Sequence, residues 1–426
     1  MEVKMVKEPN LYPDLGYGLM AVDWQERVNF PLLRKQRNER TRRVLKENGM
    51  AGALLTKSNL RYAVAVRTPL YTAGTGNEIA VIAVDDEDPI VFTSGLIAVH
   101  NRKHCPWIKP ENMRACQMMP PAGSAGVLPI EKQYAALIFQ ALKEKKIEKE
   151  KIGVDGIHPV VEAELKNKGV RLEPVSALMN KARSIKLPDE IKCLTMAAII
   201  ADTTWYELSQ FIKPGITETQ MSARGMEILI RHGAEGPCLV SVRSGPNTAP
   251  NYGGIVTDRM MRPGDLGFAD IWGNIYNGYV TCYYRTWKIG GKLTPKERDW
   301  YKTAYDQLLR AMDVIKPGAT TADVARQLPT AKDYGVASEW ELTETRLAHG
   351  IGMTLHDLPF IHPVFSIEHP EPIEEGMVIA VETWWGENFV GGCRIEVAGV
   401  VTAKGFEALY RIPYDEPLQT APITLA

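Results

Sequence analysis

The stretch FADIWGNIYNGYVTCYYRTW, residues 268–287, contains two apolar strands that carry unusual polar side chains. The first strand ends on a carboxylate, Asp270, and the second presents a thiol, Cys282, among aromatic residues. Because a buried carboxylate without a partner is costly, an acid in an apolar strand indicates a nearby cation, hydrogen-bond donor or metal. The stretch therefore points to a functional site inside a sheet.

The composition of the chain is that of an ordinary globular protein. Its 426 residues are enough for two or three domains, and its formal net charge of −1 argues against a nucleic-acid or acidic-membrane partner. The first ten residues, MEVKMVKEPN, lack the apolar core of a signal peptide, and no apolar run predicts a membrane span. The six cysteines form no CxxC pair, so neither a zinc knuckle nor a disulfide framework is indicated. We predict a cytoplasmic location.

Residues 20–180 alternate helical and strand patterns, which predicts a compact α/β domain. The basic segment 24–49 has helical spacing and is interpreted as a solvated helix face. Strands are predicted in GALLTKSNLRYAVAV, EIAVIAVDD and DPIVFTSG, and helices over 129–146 and 161–169. A boundary near ARSIKLPDEIKCL divides the chain into predicted domains 1–182 and 183–426, and a long helix follows Pro188.

The second half contains a weak internal repeat. FIKPGITETQMSARGMEILIRHGA, residues 211–234, is similar to VIKPGATTADVARQLPTAKDYGVA, residues 314–337. Each copy has a KPG turn and a Thr-initiated helix, and apolar strand segments follow it. The repeat predicts two related αβ halves with a cleft between them, which is a natural place for a site.

Four polar residues interrupt apolar segments of this second half. Asp270 ends DLGFAD, His349 lies in LAHGIGM, Glu382 ends GMVIAVE, and Glu396 lies in CRIEVAGVV. Each taken alone is typical of an edge carboxylate or a structural histidine. Three apolar strands that each contribute one acid favour a shared site instead. Oxygen ligands with one imidazole suit Mn, Fe, Co or Zn.

The motifs RSGPNTAPNYGG, FADIWGNIYNGYVTCYYRTW, AHGIGMTLHDLP, GMVIAVE and GGCRIEVAGVVTAKG resemble the creatinase/aminopeptidase P/prolidase superfamily. The resemblance covers residues 185–411 and implies an α+β, two-domain protein. Its N-terminal domain would be creatinase-like α/β, and its C-terminal domain would have the pita-bread fold, a pseudo-twofold αβ repeat around a curved antiparallel sheet. Residues 23–63 are also similar to the N-terminal part of the dimethylsulfoniopropionate lyases of this fold.

The resemblance also implies the site residues. The superfamily's dimetal ligands fall on Asp270, His349, Glu382, Glu396 and, at the second aspartate, Cys282. An additional aspartate of the lyases falls on Trp272, and a histidine of the peptidases falls on Asn251. The later histidine of the HGIG motif is retained as His356.

These departures leave three possibilities for the cofactor. The site holds one divalent metal (Mn, Fe, Co or Zn) through Asp270, His349 and the two glutamates, or a thiol-tolerant metal with Cys282 as ligand, or no metal, as in creatinase. We favour a reduced or absent metal site over a dinuclear one. Cys282 as a small buried space-filling residue is the simpler interpretation of that position.

Several residues are candidates for catalysis and substrate binding. His356 or His349 can transfer a proton near neutral pH. Arg394 can neutralise Glu382 or Glu396, or hold a substrate carboxylate. The candidate substrate-binding residues are Asn251, Tyr252, Trp272, Tyr283 and Trp385. If the aromatic rings converge, they form a cage for an ammonium or sulfonium group.

We therefore expect an enzyme that cleaves a C–N or C–S bond in a small zwitterionic or cationic substrate, as a hydrolase or a lyase. One alternative is a prolidase- or aminopeptidase P-like metallopeptidase. Another is a non-catalytic binding protein built on a decayed peptidase fold. The expected partner is a small molecule rather than nucleic acid or membrane, and the resemblance implies a homodimer.

Overall fold

The computed structural model describes residues 28–66, 78–116, 124–250, 256–342, 347–418 and 420. The chain divides into two compact units, Met1–Ala182 and Arg183–Ala426. Among the described residues, no helix combines the length and apolar character that a membrane span requires.

The first unit is a mixed sheet flanked by helices. Its helices are α1 Phe30–Glu47, α2 Lys57–Val64, α3 Gly95–His104, α4 Val127–Glu144, α5 Pro159–Asn167 and α6 Ser176–Ser184, the last of which contains the boundary between the units. Its strands are β1 Gly52–Leu55, β2 Ile79–Ala83, β3 Asp86–Ser94, β4 Met113–Cys116, β5 Lys151–Val154 and β6 Arg171–Pro174. They form one sheet in the order β4-β3-β2-β1-β5-β6, with parallel pairs β3–β4, β1–β5 and β5–β6.

The segment GALLTKSNLRYAVAV differs from its predicted strand. Only Gly52–Leu55 is strand, and Lys57–Val64 forms helix α2, which ends at Ala65 in a left-handed conformation (φ 54°). The helix buries Leu60, Ala63 and Val64, which have the i, i+3, i+4 spacing of one helix face. A short apolar run fits either period, so packing against the sheet decided its conformation.

The basic segment 24–49 forms helix α1 from Phe30, and residues 24–27 lie outside the described part of the chain. Its buried stripe, Leu33, Arg37, Thr41 and Leu45, has a spacing of four residues. The guanidinium of Arg37 lies 5.6 Å from the centre of the Tyr62 ring. One arginine of this segment is therefore part of the packed interface rather than of a solvated face.

The second unit contains helices and antiparallel strands. Its helices are α7 Pro188–Phe211, α8 Glu218–Arg231, α9 Pro295–Asp313, α10 Thr321–Ala325, α11 Ala331–Tyr334 and α12 Pro363–Ser366. Its strands are β7 Cys238–Ser244, β8 Leu266–Tyr276, β9 Tyr279–Thr281, β10 Tyr284–Lys288, β11 Leu347–Gly350, β12 Asp357–Ile361, β13 Val378–Glu387, β14 Gly391–Thr402 and β15 Gly405–Ala408.

The internal repeat appears as two matching helix pairs. Helix α7 is followed by α8, whose N-cap Thr217 accepts a hydrogen bond from the backbone of Gln220. Helix α9 is followed by α10, whose N-cap Thr320 accepts one from the backbone of Asp323. Both caps form a reciprocal capping box, so the two copies start their second helix in the same way.

The strands of this unit form two antiparallel sheets. One has the order β10-β8-β7 with β9 paired to β8, and the other has the order β12-β11-β13-β14-β15. Side chains of β10 join them: the Thr286 hydroxyl donates to the Arg394 carbonyl (2.7 Å) and accepts from the Arg394 N–H (2.9 Å). Nη1 of Arg285 also donates to the Glu396 carbonyl at 2.7 Å. Side-chain contacts between β10 and β14 thus connect the two antiparallel sheets of this unit.

Candidate metal centre

Strands from both sheets bring the predicted polar residues into the interior of the second unit. Asp270 lies on β8, His349 on β11, Glu382 on β13 and Glu396 on β14. Each of these side chains belongs to a residue that is 5% exposed or less. The strands therefore hold three acids and an imidazole where water cannot solvate them, which is costly without compensating charges or hydrogen bonds.

Three of the predicted residues form a compact set of donor atoms, which we call the three-donor cluster: Cys282, His349 and Glu396. One potential ligand atom from each lies within 4.8 Å of the other two. Cys282 lies between β9 and β10, so the cluster combines groups from both sheets. All three residues are buried.

The ring of His349 is oriented by its own strand. Nδ1 lies 3.1 Å from the carbonyl of Gly350, while Nε2 lies 3.7 Å from Oε1 of Glu396. The strand approaches β12 so closely here that a Cβ on Gly350 would lie 2.2 Å from the Leu358 carbonyl, so the position requires glycine. Burial lowers the pKa of His349 despite the nearby Glu382 carboxylate, which favours a neutral ring.

Glu396 and Glu382 lie directly opposite each other in the β13–β14 register. Burial, and then the charge of Glu382, raise the pKa of Glu396 well above its usual range. Neither carboxylate oxygen of Glu396 has a hydrogen-bond partner of normal geometry among the described residues, and the same holds for Nε2 of His349. These buried polar atoms therefore lie near one another without hydrogen bonds of normal geometry.

Glu382 is engaged by a cation. Nη2 of Arg394 donates to Oε2 of Glu382, and the Arg394 guanidinium lies 4.1 Å from the centre of the Tyr284 ring. Burial would lower the pKa of Arg394, but the charges of Glu382 and Tyr284 outweigh it and raise that pKa. Arg394 is thus an ion-pair partner, which is the first of its two predicted roles.

Asp270 lies beside the three-donor cluster. Its Oδ1 accepts a hydrogen bond from the backbone N–H of Tyr283 (2.9 Å), and its Oδ2 lies 3.9 Å from Sγ of Cys282. Burial, and then the charge of Glu396, raise the pKa of Asp270 well above its usual range. Burial, and then the charges of Asp270 and Glu396, likewise raise the pKa of the Cys282 thiol. These raised pKa values favour the protonated forms of Asp270, Cys282 and Glu396, and a bound cation would favour their ionised forms.

His356 connects this interior to solvent. The residue is exposed, yet its ring packs edge-on against His349 with a centroid separation of 4.6 Å. Desolvation of the ring and then the neighbouring His349 lower its pKa. A neutral imidazole at the edge of the site can accept a proton from a substrate or water.

The aromatic candidates have separate neighbours. Nε1 of Trp272 donates to the Ser241 hydroxyl (3.1 Å), and the ring of Trp385 lies 4.7 Å from that of Tyr334. The Tyr283 ring stacks on Tyr410 at 3.8 Å. Asn251 and Tyr252 lie outside the described residues.

Tyr283 and Tyr284 do not offer open ring faces for an aromatic cage. The Tyr283 hydroxyl donates to Oδ1 of Asp202 at 2.6 Å, and the residue is fully buried, so its ring belongs to the core and only its backbone serves Asp270. The face of Tyr284 is covered by the Arg394 guanidinium. A cation–π site for a cationic substrate needs an open ring face, and these two rings do not offer one.

The sequence interpretation missed Tyr410, which follows the last strand. Its hydroxyl donates to the Cys282 carbonyl (3.0 Å) and accepts from the Cys282 N–H (3.4 Å), and it lies 2.6 Å from the Thr281 hydroxyl. It therefore clamps the backbone that carries the thiol. No local pattern marks this tyrosine, because it lies 128 residues from Cys282 in the chain.

The residues present fit a single divalent cation. A thiol, an imidazole and a carboxylate converge, and the imidazole and carboxylate atoms lack other hydrogen-bond partners in the described part of the chain. His349 has a backbone carbonyl beside its other nitrogen, which is the usual arrangement for a metal-binding histidine. Glu382, in contrast, is already paired with Arg394.

Residues 192–403 match the family model described as metallopeptidase family M24. Over these residues the second unit resembles metallopeptidase family M24. Every residue of the three-donor cluster, together with Asp270, Glu382 and Arg394, lies within the matched M24 region.

Similar proteins of known sequence carry peptidase names. The chain is 31% identical to the uncharacterized peptidase YqhT of Bacillus subtilis over 57% of this chain and 66% of that protein. It is 27% identical to the Xaa-Pro dipeptidase of Pyrococcus furiosus over 64% of this chain and 76% of that protein.

Solved M24-like structures share the two-domain fold. A dipeptidase from Pyrococcus horikoshii superposes with a TM-score of 0.70 at 23% identity, covering 88% of this chain and 98% of that one. The Xaa-Pro dipeptidase from Bacillus anthracis gives 0.69 at 24% identity, covering 89% and 98%. The predicted α+β pita-bread fold is confirmed.

Together the comparisons favour the peptidase alternative over the main expectation of a lyase or creatinase-like enzyme. These four relatives are peptidases by name, and the expected likeness of the N-terminal residues to dimethylsulfoniopropionate lyases is not supported.

Proposed function

We propose that the protein is a metal-dependent M24 hydrolase that cleaves the amide bond of small dipeptide-like substrates, with Xaa-Pro dipeptides as the substrate class. The observation that carries the proposal is the three-donor cluster, where one ligand atom from each residue lies within 4.8 Å of the others inside a dry interior. The names of the Pyrococcus furiosus and Bacillus anthracis relatives support the substrate class.

In this proposal the cation is held by Cys282, His349 and Glu396, with Asp270 beside them. A divalent cation at such a site supplies Lewis-acid activation of a carbonyl group and of water. His356 receives a proton at its imidazole and returns it to the leaving amine, because it is the neutral base at the solvent edge. Arg394 pairs with Glu382 and fixes its carboxylate in place beside the cluster.

The decisive experiment measures metal content and amide hydrolysis on the same preparation. We expect about one divalent metal per chain in protein purified without added metal, from the single cluster. Cleavage of Xaa-Pro dipeptides should be lost with a chelator and restored by metal. A metal-loaded protein that leaves Xaa-Pro dipeptides intact would reject this substrate class.

Two histidine variants separate the proposed roles. His349→Gln should lose both the metal and hydrolysis, because it removes a ligand. His356→Gln should keep the metal and lower kcat by about 10²–10⁴, the usual contribution of a general acid–base. Unchanged kcat in the second variant would remove His356 from the proton transfer.

A metal-free C–N hydrolase of the creatinase kind is the second candidate. One observation favours it: Glu382, which the resemblance assigns to a metal, is already paired with the Arg394 guanidinium. Cleavage that persists in metal-free protein and resists a chelator would favour this candidate. The homodimer and the cytoplasmic location stay predictions.

A further inference from the structure

The three-donor cluster contains a sulfur where a purely oxygen and nitrogen site would have a carboxylate. Sγ of Cys282, His349 and Glu396 offer one soft and two harder ligand atoms, all buried. The question is whether this sulfur is a ligand or merely occupies space, and the contacts of its neighbours answer it.

The contacts of the His349 ring are those of a metal-binding histidine. Nδ1 lies against the Gly350 carbonyl at 3.1 Å, which favours the tautomer with its proton on Nδ1. That tautomer leaves the lone pair of Nε2 toward Glu396, 3.7 Å away. Neither Nε2 nor the Glu396 oxygens have a hydrogen bond of normal geometry among the described residues, and the thiol itself lies beside Glu396. Two fully buried groups without ordinary hydrogen bonds therefore face the thiol.

The backbone that carries the thiol is held by a buried tyrosine. The Tyr410 hydroxyl bonds both the carbonyl and the N–H of Cys282, at 3.0 and 3.4 Å, and reaches the Thr281 hydroxyl at 2.6 Å. This tyrosine is itself buried and stacked on Tyr283. These contacts fix the position of the Cys282 backbone, and with it the place from which the thiol faces the cluster.

The charges of the site favour one bound cation beside the sulfur. Arg394 and Glu382 form an ion pair, so the other buried acids of the site are Asp270 and Glu396. A divalent cation offsets most of the charge that these two carboxylates and a Cys282 thiolate would carry. Thiolate ligands select zinc and similar thiophilic ions, whereas carboxylate and water ligands suit Mg²⁺ and Mn²⁺.

From these contacts we infer that Cys282 is a metal ligand and that it makes the centre selective for a thiophilic divalent cation, Zn²⁺ or Co²⁺, over Mn²⁺ and Mg²⁺. The inference rests on the metal site of the proposed function and specifies the ion that this site takes. It does not depend on the substrate.

The test uses full-length protein loaded with Co²⁺ alone. Wild-type protein should show a sulfur-to-cobalt charge-transfer band in the near ultraviolet. Cys282→Ser should lose the band, while Cys238→Ser, which removes a partly buried thiol of β7 outside the cluster, should keep it. A wild-type protein without the band, or a Cys282→Ser protein with it, would overturn the inference.

Metal competition gives a second readout. Wild-type protein should prefer Zn²⁺ to Mn²⁺, and Cys282→Asp should reduce that preference by about 100-fold or more, because a carboxylate replaces the thiolate that selects zinc. An unchanged preference in the variant would show that the thiol is a space-filling residue.

A third measurement needs no variant and stays decisive if Cys282→Ser fails to fold. X-ray absorption at the zinc edge of zinc-loaded wild-type protein should show one sulfur at about 2.3 Å. A shell of nitrogen and oxygen only would overturn the inference. If the sulfur is present and Xaa-Pro dipeptides are still not cleaved, the substrate class fails and the metal assignment stands.

Discussion

Two buried glutamates of the second unit, Glu218 and Glu396, have opposite surroundings. Both are fully buried. The oxygens of Glu218 accept hydrogen bonds from the backbone and hydroxyls of Ser244 and Thr257 and from the Asn247 amide. The oxygens of Glu396 have no such partner among the described residues and face Glu382 across the sheet. A buried carboxylate surrounded by hydrogen-bond donors fixes a loop in place. A buried carboxylate without such donors needs a cation to compensate its charge.

The largest effect is expected for Glu396→Gln. Losing a ligand of the cluster should lower hydrolysis by about 10³-fold or more, roughly 4 kcal/mol of transition-state stabilisation. The metal-free variant should be as stable as wild type or more so, because like charges opposite each other in a sheet destabilise it. Steady-state kinetics and urea unfolding measure the two.

Glu407→Gln on β15 is the matched control for that change, since Glu407 is exposed and bonded only to the Thr402 hydroxyl in the described contacts. It should alter neither quantity. A Glu396→Gln protein that is markedly less stable without metal would place Glu396 in the same structural class as Glu218.

Glu218→Ala should have the next largest effect, and on stability. The donors of Ser244, Asn247 and Thr257 would lose their acceptor in a buried place, which costs about 3 kcal/mol. Urea unfolding at pH 7 measures the loss. Stability within about 0.5 kcal/mol of wild type, as for a surface change, would contradict the structural role. Metal content should be unchanged in this variant.

Tyr410→Phe should have a smaller effect on both quantities. It keeps the ring stacked on Tyr283 but removes the hydroxyl from Cys282, so stability should fall by about 1 kcal/mol. Metal affinity should fall about tenfold, as for other contacts that orient a ligand. Wild-type affinity, measured by metal titration, would show that the clamp does not support the thiol.

The smallest effect is expected for a partly exposed acid, Glu207. Its hydrogen bond with His232, and then its ion pair with Arg231, lower its pKa from the ordinary value of 4.5. A lowered folded-state pKa stabilises the protein above pH 4.5, and this contribution is lost as the pH falls through the folded-state pKa. Glu207→Gln should therefore cost less than about 1 kcal/mol at pH 7. The difference from wild type should shrink in acid, and a constant difference would contradict the electrostatic origin.

Helix starts and strand motifs of the second unit could be read from the sequence because their signals are local. Pro188 with Asp189 and Glu190 predicts the start of a long helix, and α7 begins there. Asp270, Glu382 and Glu396 were visible as acids inside apolar strands, a pattern that burial makes expensive.

The rest depended on contacts between distant residues. Whether Lys57–Val64 would be helix or strand depended on what it packs against. The clamp of Tyr410 on Cys282 and the pairing of Arg394 with Glu382 rather than with a substrate arise only when separate strands meet. Whether the aromatic candidates converge could not be predicted from nearness in sequence, because neighbouring residues of a strand point to opposite faces.

The register that places Glu382 opposite Glu396 has a consequence for the whole domain. If the ion binds only the folded chain, free metal raises the unfolding free energy by RT ln(1 + [M]/Kd), about 2.7 kcal/mol at a hundredfold excess over Kd. The melting temperature of the second unit then rises with the concentration of free metal. A thermal-shift screen across cations would rank their affinities without any knowledge of the substrate.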